Sequence, residues 1–229
     1  TVGTIKESRP LSAMLILTNI YFLYGVSLLT FFVVWDRVAA LKVFDDSLAR
    51  PSEVVMQIKM LMSMKFGGTN LWGHIWASTL RVIMGFSLAA VVAVPLGLFM
   101  ALNKYVNAIV KPLFDLLKPM PPIAWVSLAI LWFGVGEFAK IFIIIIGTFV
   151  PCLLNSYNGI RLVEPELYDV VRVLGGNRKD EIFQVSFPAS FPSVFAGLQI
   201  SMSIAWTCVL AAELMNARDG IGFLIKRGM

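Results

Sequence analysis

IFIIIIGTFVPCLLNSYNGI occupies residues 141–160 and contains no charged side chain. Because an α-helix rises about 1.5 Å per residue, about 20 apolar residues cross a hydrocarbon layer about 30 Å thick. Other charge-free stretches of similar or greater length occupy residues 11–35, 82–102, 119–136 and 182–212. The pattern predicts an all-α, polytopic membrane protein with five visible spans.

The overall composition supports the same prediction. Hydrophobic residues make up 58% of the 229 residues and charged residues only 14%, whereas soluble domains contain about 25% charged residues. A water-soluble globular domain is therefore excluded. The net charge is +5, but the basic residues form no run that could follow a phosphate backbone, so we expect no nucleic acid partner.

Cysteine and histidine are too few for the common metal and haem sites. Cys152 and Cys208 both lie within apolar stretches, which favours buried core residues over a disulfide framework or a thiolate metal site. His74 is the single histidine, which excludes bis-histidine haem ligation and a His-Glu-x-x-His zinc site within this chain. We expect no metal and no cofactor bound by this chain.

The apolar stretches predict the organisation of the chain. Residues 1–10 form a cytoplasmic N-terminus, residues 11–35 the first span, and residues 36–73 an external loop with an interfacial helix. The first span is too long for the core of a cleaved signal peptide. Residues 74–229 form the core, with spans at about residues 76–102, 119–136, 138–158 and 193–213. The density of Lys and Arg favours an N-terminus inside the cell.

One strongly polar segment interrupts this pattern. Nine charges fall within RLVEPELYDVVRVLGGNRKDEIF, residues 161–183, and Pro188 closes the unit, so we name residues 161–188 the polar segment. Pro165 suits the first turn of a helix, and Gly175 with Gly176 ends it. The helix has one apolar stripe, formed by Leu167, Val170, Val171 and Leu174. Such a helix either fits a groove in a partner protein or lies on lipid headgroups.

The polar segment carries a resemblance to a known family. It contains Asp169-Val170-Val171, three residues, Gly175, nine residues and then Val185-Ser186-Phe187-Pro188. This spacing resembles the cytoplasmic motif of the inner-membrane permeases of binding-protein-dependent ABC importers, which is Glu-Ala-Ala, three residues, Gly, nine residues, Ile-x-Leu-Pro. The opening triplet departs from that motif conservatively. The segments KPMPPIAW (118–125), LWFGVGE (131–137) and WTCVLAAEL (206–214) are similar to the nitrate, sulfonate, taurine and bicarbonate branch.

The resemblance covers about residues 72–222 and implies a type I importer permease. It implies the type I transmembrane-domain fold with a sixth span that would follow residue 229, and a bacterial inner (plasma) membrane location. The implied partners are two cytoplasmic ABC ATPase subunits, a second copy of the permease in a homodimer, a periplasmic or lipoprotein solute-binding protein, and membrane lipid. The implied solute is a small oxyanion or sulfonate, such as nitrate, taurine or another alkanesulfonate, or bicarbonate.

In this interpretation, the partner ATPase hydrolyses the ATP. The chain contains no Gly-x-x-x-x-Gly-Lys-Ser/Thr phosphate loop, so it is not catalytic by itself, and ATP and Mg would bind in the partner ATPase. The polar segment would act as a coupling helix, with Gly175 making the tight turn. The residues expected to couple to the ATPase are Glu164, Leu167, Asp169, Val170, Val171, Arg172, Leu174, Gly175, Gly176, Arg178 and Pro188.

The interrupted apolar stretches are candidates for the translocation pathway. Prolines remove backbone donors, and the irregular backbone that results can line a cavity in a membrane protein. Packing alone also accounts for these residues, and both interpretations stay open. The candidate pathway residues are Met120, Pro121, Pro122, Trp125, Trp132, Asn155, Trp206 and Glu213.

The sequence disfavours two other classes of membrane protein. A self-contained secondary transporter or channel would favour a repeated half or a chain of buried carboxylates, and the sequence suggests neither. A membrane enzyme subunit would need a catalytic constellation that is not evident. Copurification with an ATPase subunit discriminates between the classes, because a carrier or an enzyme needs none.

Overall fold

The computed structural model describes residues 9–42, 48–65 and 67–228, and the side chains within these ranges apart from those of residues 9–18, 216, 227 and 228. Residues 1–8, most of the predicted cytoplasmic N-terminus, lie outside the described residues. The chain forms two compact units, Thr1–Met64 and Lys65–Met229, which are described separately.

The first unit contains two helices, α1 (Arg9–Ala40) and α2 (Pro51–Ser63). Residues Asn19–Ala40 of α1 are long and apolar enough to cross a membrane, and the helix continues beyond the predicted end at residue 35. α2 is the helix expected within residues 36–73. The backbone N–H of Arg50 donates to Glu53 Oε2 at 2.9 Å, which is half of a capping box at the start of α2. The Arg50 guanidinium also pairs with Asp36 at 3.0 Å, so the end of α1 is fixed to the start of α2.

The second unit is also helical. Its elements are α3 (Leu71–Leu102), α4 (Lys104–Leu117), a 3₁₀ turn (Pro122–Ala124), α5 (Trp125–Phe133), α6 (Glu137–Arg161), α7 (Pro165–Val173), α8 (Arg178–Asp180), a π-helical turn (Glu181–Ser186), α9 (Phe187–Asn216) and α10 (Ile221–Gly228). Every element within residues 9–42, 48–65 and 67–228 is helical, which confirms the all-α prediction. Among these residues, 4 helices could cross a membrane, or 5 if α4 and α5 form one bent span.

Helices α3, α6 and α9 form the core of the second unit. One buried cluster surrounds Val82, Ile144 and Val209, one residue from each of the three helices. A second cluster contains Ala93 of α3, Phe114 of α4 and Leu153 of α6. Burial of this apolar surface against neighbouring helices holds α6 between α3 and α9.

Small residues set the distance between α3 and α6. A Cβ atom added at Gly97 would collide with the backbone carbonyl of Leu153 and with the Ser156 side chain. Glycine therefore lets the two helix backbones approach closely, as is common where membrane helices pack together.

The stretch 119–136 differs from the single span that the sequence predicts. It contains the 3₁₀ turn and the nine-residue helix α5, which at about 1.5 Å per residue is too short to cross a bilayer alone. The axis bends by 79° between α4 and the stretch Pro122–Phe133. Pro121 and Pro122 cause the break because neither can donate a helical hydrogen bond.

Helix α9 also begins earlier than the span predicted at 193–213. It starts at Phe187 and continues through Pro192 to Asn216. Pro188 lies in the first turn of α9, directly after the π-helical turn. Pro188 therefore does not close the polar segment, and helical structure is continuous from Arg178 to Met215.

Candidate functional site

The polar segment connects the end of α6 to the start of α9. Helix α7 begins at Pro165 after Glu164, whose backbone is extended, and carries Glu166 in its first turn. Asn177 caps α8, and its side chain accepts a hydrogen bond from the backbone N–H of Lys179 at 2.8 Å. The helix, glycine turn and second helix therefore occur in the order that the sequence predicts.

Gly175 makes the turn between α7 and α8. Its φ of +82° lies in the left-handed region, and no atom lies within 4 Å of the position that a Cβ would occupy. The backbone conformation therefore favours glycine here, whereas the surrounding space does not restrict the residue. At Gly176 the reason is space, because an added Cβ would collide with Val171.

The exposed apolar face of α7 differs from the predicted stripe at two positions. Leu167, Val170 and Leu174 are exposed, with Leu174 at 81%. Val171 is only half-buried and packs over Gly176. Val173, which the stripe does not include, is 86% exposed. The face available to a partner is therefore formed by Leu167, Val170, Val173 and Leu174, which we name the exposed α7 face.

Two side-chain contacts fix α7 to the π-helical turn. Arg172 Nε donates to Glu181 Oε1 at 2.7 Å, and Arg172 Nη1 donates to Asp169 at 3.1 Å. The hydrogen bond to Glu181 raises the pKa of Arg172 above its ordinary value. At the other end of the turn, the hydroxyls of Tyr168 and Ser186 lie 3.1 Å apart. Arg172 is therefore held by contacts within the polar segment. The Arg178 side chain is exposed.

A mostly apolar cavity of about 280 Å³ lies where α4, the 3₁₀ turn and α5 meet α6. It brings together three predicted pathway residues, Met120, Pro122 and Trp125, with Lys118 as the single charged residue in its lining. The indole N–H of Trp125 is buried and has no hydrogen-bond partner among the described residues. The cavity therefore combines a largely apolar lining with one basic side chain.

The other predicted pathway residues lie elsewhere. Pro121 directly precedes the 3₁₀ turn, and the Trp132 ring lies 6.4 Å from that of Trp125 without lining the cavity. Asn155 donates to the backbone carbonyl of Pro151 at 2.9 Å, which is a bond within α6. Trp206 packs against the core cluster around Val209. The structure thus groups three of the eight predicted residues at the cavity.

Glu213 belongs instead to a buried group of charges, which we name the charge cluster: Arg81, Glu137, Lys140, Glu213 and Asp219. Arg81 is 3% exposed and Glu213 is 0% exposed. Arg81 donates to Glu137 at 2.5 and 2.8 Å, to Glu213 at 2.7 Å and to Asp219 at 2.6 Å. Lys140 pairs with Glu137 at 2.8 Å. One guanidinium therefore contacts α6, α9 and the turn before α10.

Further hydrogen bonds hold the turn 219–222 against α3. Ser78 donates to both carboxylate oxygens of Glu213 at 2.8 Å and accepts from the backbone N–H of Ile221 at 2.9 Å. Glu213 also accepts from the N–H of Gly222 at 2.9 Å, and His74 Nδ1 accepts from the N–H of Gly220 at 3.0 Å. His74, Ser78 and Arg81 thus present one polar face of α3 to this turn.

The sequence analysis missed Arg81 and Ser78. Arg81 directly precedes the charge-free stretch 82–102, so it looked like a flanking residue rather than a buried one. The spacing of His74, Ser78 and Arg81 at i, i+4 and i+7 was the available signal, because it places three polar side chains on one helical face.

Comparison with known proteins identifies the family. Residues 93–229 match the family described as binding-protein-dependent transport system inner membrane component. The chain belongs to this family. Together with the apolar helices, this membership makes the chain a multi-pass membrane protein.

Individual relatives have transport permease names. A putative ABC transporter permease protein of Methanocaldococcus jannaschii is 45% identical over 146 residues, which cover 63% of this chain and 55% of that protein. The taurine transport system permease protein of Escherichia coli K12 is 30% identical over 195 residues, 84% of this chain and 71% of that protein. A putative aliphatic sulfonates transport permease protein of Bacillus subtilis is 33% identical, with 84% and 68% covered. The chain therefore spans about half to about 70% of the length of these relatives.

Proposed function

We propose that this chain is the membrane-spanning permease subunit of an ATP-driven, binding-protein-dependent importer. The observation that carries the proposal is the exposed α7 face, an apolar surface on a polar segment between two membrane helices. Burial of apolar side chains in a partner's groove stabilises a complex. The permease names of the relatives favour this function over a self-contained carrier or a membrane enzyme.

The partner is a cytoplasmic ATPase in this proposal, with two copies serving two permease chains. Their grooves receive Leu167, Val170, Val173 and Leu174, while Glu164, Asp169 and Arg178 lie at the polar rim. ATP and Mg bind in the ATPase, where the hydrolysis occurs. A solute-binding protein delivers solute from the opposite side of the inner membrane, so the N-terminus and the polar segment face the cytoplasm.

The contacts within the polar segment support transmission of movement. A displacement of α7 acts on α6 through the short connection at residues 162–164. It acts on α9 through the Arg172–Glu181 ion pair at 2.7 Å and the Tyr168–Ser186 contact at 3.1 Å. Closure of the ATPases then moves the ends of both membrane helices together, which is a rigid-body mode of conformational change.

The cavity is our candidate for part of the solute pathway. Lys118, the charged residue in its lining, offers a positive charge to an anionic solute. The taurine and aliphatic sulfonate names of two relatives favour a small sulfonate or another small oxyanion. The apolar lining suits the carbon chain of an alkanesulfonate, while the sulfonate oxygens accept from the Lys118 ammonium.

The experiment that tests the proposal is Val173→Asp, with Val135→Asp as the matched control. Both valines are exposed, at 86% and 66%, but Val135 lies between α5 and α6, away from the polar segment. A charge on the exposed α7 face should abolish copurification with the ATPase and solute uptake in vesicles, because it would be buried unpaired in the groove. The control should retain the ATPase. Loss in neither variant would refute the assignment of the exposed α7 face, and absence of any ATPase from the wild-type complex would refute the permease function.

A further inference from the structure

The charge cluster lies at the opposite end of α6 from the polar segment. Glu137 begins α6, whereas Arg161 ends it at the polar segment. Over these 25 residues a helix rises by roughly 37 Å. Glu213 likewise lies near the end of α9 that is remote from the polar segment. The cluster therefore joins the far ends of the two helices that leave the polar segment.

Stability alone is a poor explanation for the cluster. Burial of an ion pair removes both charges from water, and well-packed apolar residues of similar volume often stabilise a fold equally well or better. The desolvation is severe here, because Arg81 and Glu213 are almost fully buried and the cluster holds three carboxylates for two cations. Directed hydrogen bonds in a cluster of this kind hold the helices at fixed relative positions, which apolar packing does not do.

Arg81 has the shape that such a geometric role needs. Its planar guanidinium reaches Glu137 of α6, Glu213 of α9 and Asp219 of the turn before α10. A lysine in this position offers a point charge and cannot hold three partners at fixed angles. The Ser78 bonds to Glu213 and Ile221 reinforce the same arrangement.

We propose that Arg81 is a positioning residue that makes α3, α6, α9 and the turn 219–222 move as one body when the polar segment is displaced. The inference rests on the proposed function, because it assumes that the ATPase moves the polar segment. Arg81 would transmit that movement to the charge cluster at the opposite end of α6 and α9. Without Arg81, a displacement of the polar segment would still move the adjacent ends of α6 and α9. It would not be transmitted to the ends of these helices that carry the charge cluster.

The experiment compares Arg81→Met/Glu213→Met with wild-type protein. The double variant removes the two most buried charges of the cluster together, so neither is left without the other, and two side chains of suitable length fill the space. The permease is reconstituted in vesicles with its ATPase and solute-binding protein. ATP hydrolysis should remain near the wild-type rate, whereas the solute transported per ATP should fall by at least about tenfold.

The matched control is Arg50→Met, which removes an arginine from an exposed pair with Asp36 in the first unit. It should leave the transport-to-hydrolysis ratio unchanged. A purely structural role for Arg81 predicts less folded protein but a normal ratio per folded molecule, and this result overturns the proposal. If wild-type vesicles hydrolyse ATP but transport no solute, the proposed function fails instead.

A milder pair of variants covers the case in which the double variant does not fold. Asp219→Asn and Glu137→Gln each weaken one arm of the cluster at a partly exposed side chain, and Glu213 keeps its bonds to Arg81 and Ser78. Each should lower the transport-to-hydrolysis ratio with normal yield. Arg81→Lys retains the positive charge but lacks the planar guanidinium, so its transport-to-hydrolysis ratio should also lie below that of the wild-type protein. Normal ratios in all three variants overturn the proposal.

Discussion

Gly175 shows how one backbone conformation decides the shape of the polar segment. The position is left-handed, and the space around a potential Cβ is open. The penalty for another residue is therefore conformational, about 1–2 kcal/mol for most L-residues and less for asparagine. A β-branched residue is the least suited to positive φ. Space and conformation can thus be separated experimentally at this turn.

We predict that Gly175→Val leaves membrane insertion intact but abolishes transport-coupled ATP hydrolysis, because the turn can no longer place α7 and α8 correctly. Gly175→Asn should retain most of the activity. The measurements are the amount of permease in the membrane and the solute-stimulated ATPase rate in vesicles. Equal loss in both variants would show that the cause is not the backbone angle.

Single residues differ in how well the sequence predicts them. Gly175 was predictable because a helix end followed by a polar turn is a local pattern. Arg81 was not, because its partners lie 56, 132 and 138 residues away along the chain. Nothing next to Arg81 in the sequence indicates that three distant carboxylates will surround it. Glu213 was selected as a candidate, but its partners were unknown for the same reason.

At the scale of elements, the close approach of α3 to α6 depends on Gly97. Any side chain there meets the Leu153 carbonyl, which belongs to a helix backbone and cannot move aside easily. Gly25 in α1 is the natural comparison, because nothing lies within 4 Å of a Cβ added at that position. The two glycines differ in packing, although both lie inside apolar helices.

We predict that Gly97→Ala destabilises the protein by about 1–3 kcal/mol, which is the usual cost of overpacking. Gly25→Ala should be neutral or stabilising by up to about 1 kcal/mol, because alanine loses less conformational entropy in a helix. Thermal unfolding in detergent measures both changes. A drop in midpoint for Gly25→Ala as large as that for Gly97→Ala would contradict the packing argument.

The helices were predictable from the sequence where the length of an apolar stretch determined them. Helices α1, α3, α6 and α9 follow from charge-free stretches long enough to cross a membrane. Helix α4 was missed because Lys104, Lys111 and Asp115 interrupt the apolar pattern, although its apolar residues fall on one face. Its break from α5 follows from Pro121 and Pro122, but the angle of 79° between the two depends on packing between helices, which no local pattern specifies.

At the scale of the whole molecule, α6 separates two ends with different chemistry. One end carries the exposed α7 face, and the other carries the charge cluster and the turn at Gly134–Gly136. The proposed permease function places these ends on opposite sides of the membrane. Val173 and Val135 are suitable reporters because both are exposed, while the native Cys152 and Cys208 are buried.

We predict that Val173→Cys reacts with a membrane-impermeant maleimide only from the cytoplasmic side, and Val135→Cys only from the outside. Labelling of intact cells and of inverted vesicles distinguishes the two sides. The wild-type chain should give little background, since its thiols are inaccessible. Labelling of both reporters from the same side would contradict a single crossing by α6.

The π-helical turn Glu181–Ser186 has a consequence for the evolution of this chain. Because helical structure continues from Arg178 to Met215, the rotational phase established in that turn persists along the whole of α9. A single deletion in α9 between Phe187 and Glu213 would rotate Glu213 by about 100° relative to the polar segment, carrying it away from Arg81. The number of residues between the polar segment and Glu213 is therefore constrained from both ends of α9 at once, so natural variation in this stretch should consist of substitutions rather than insertions or deletions.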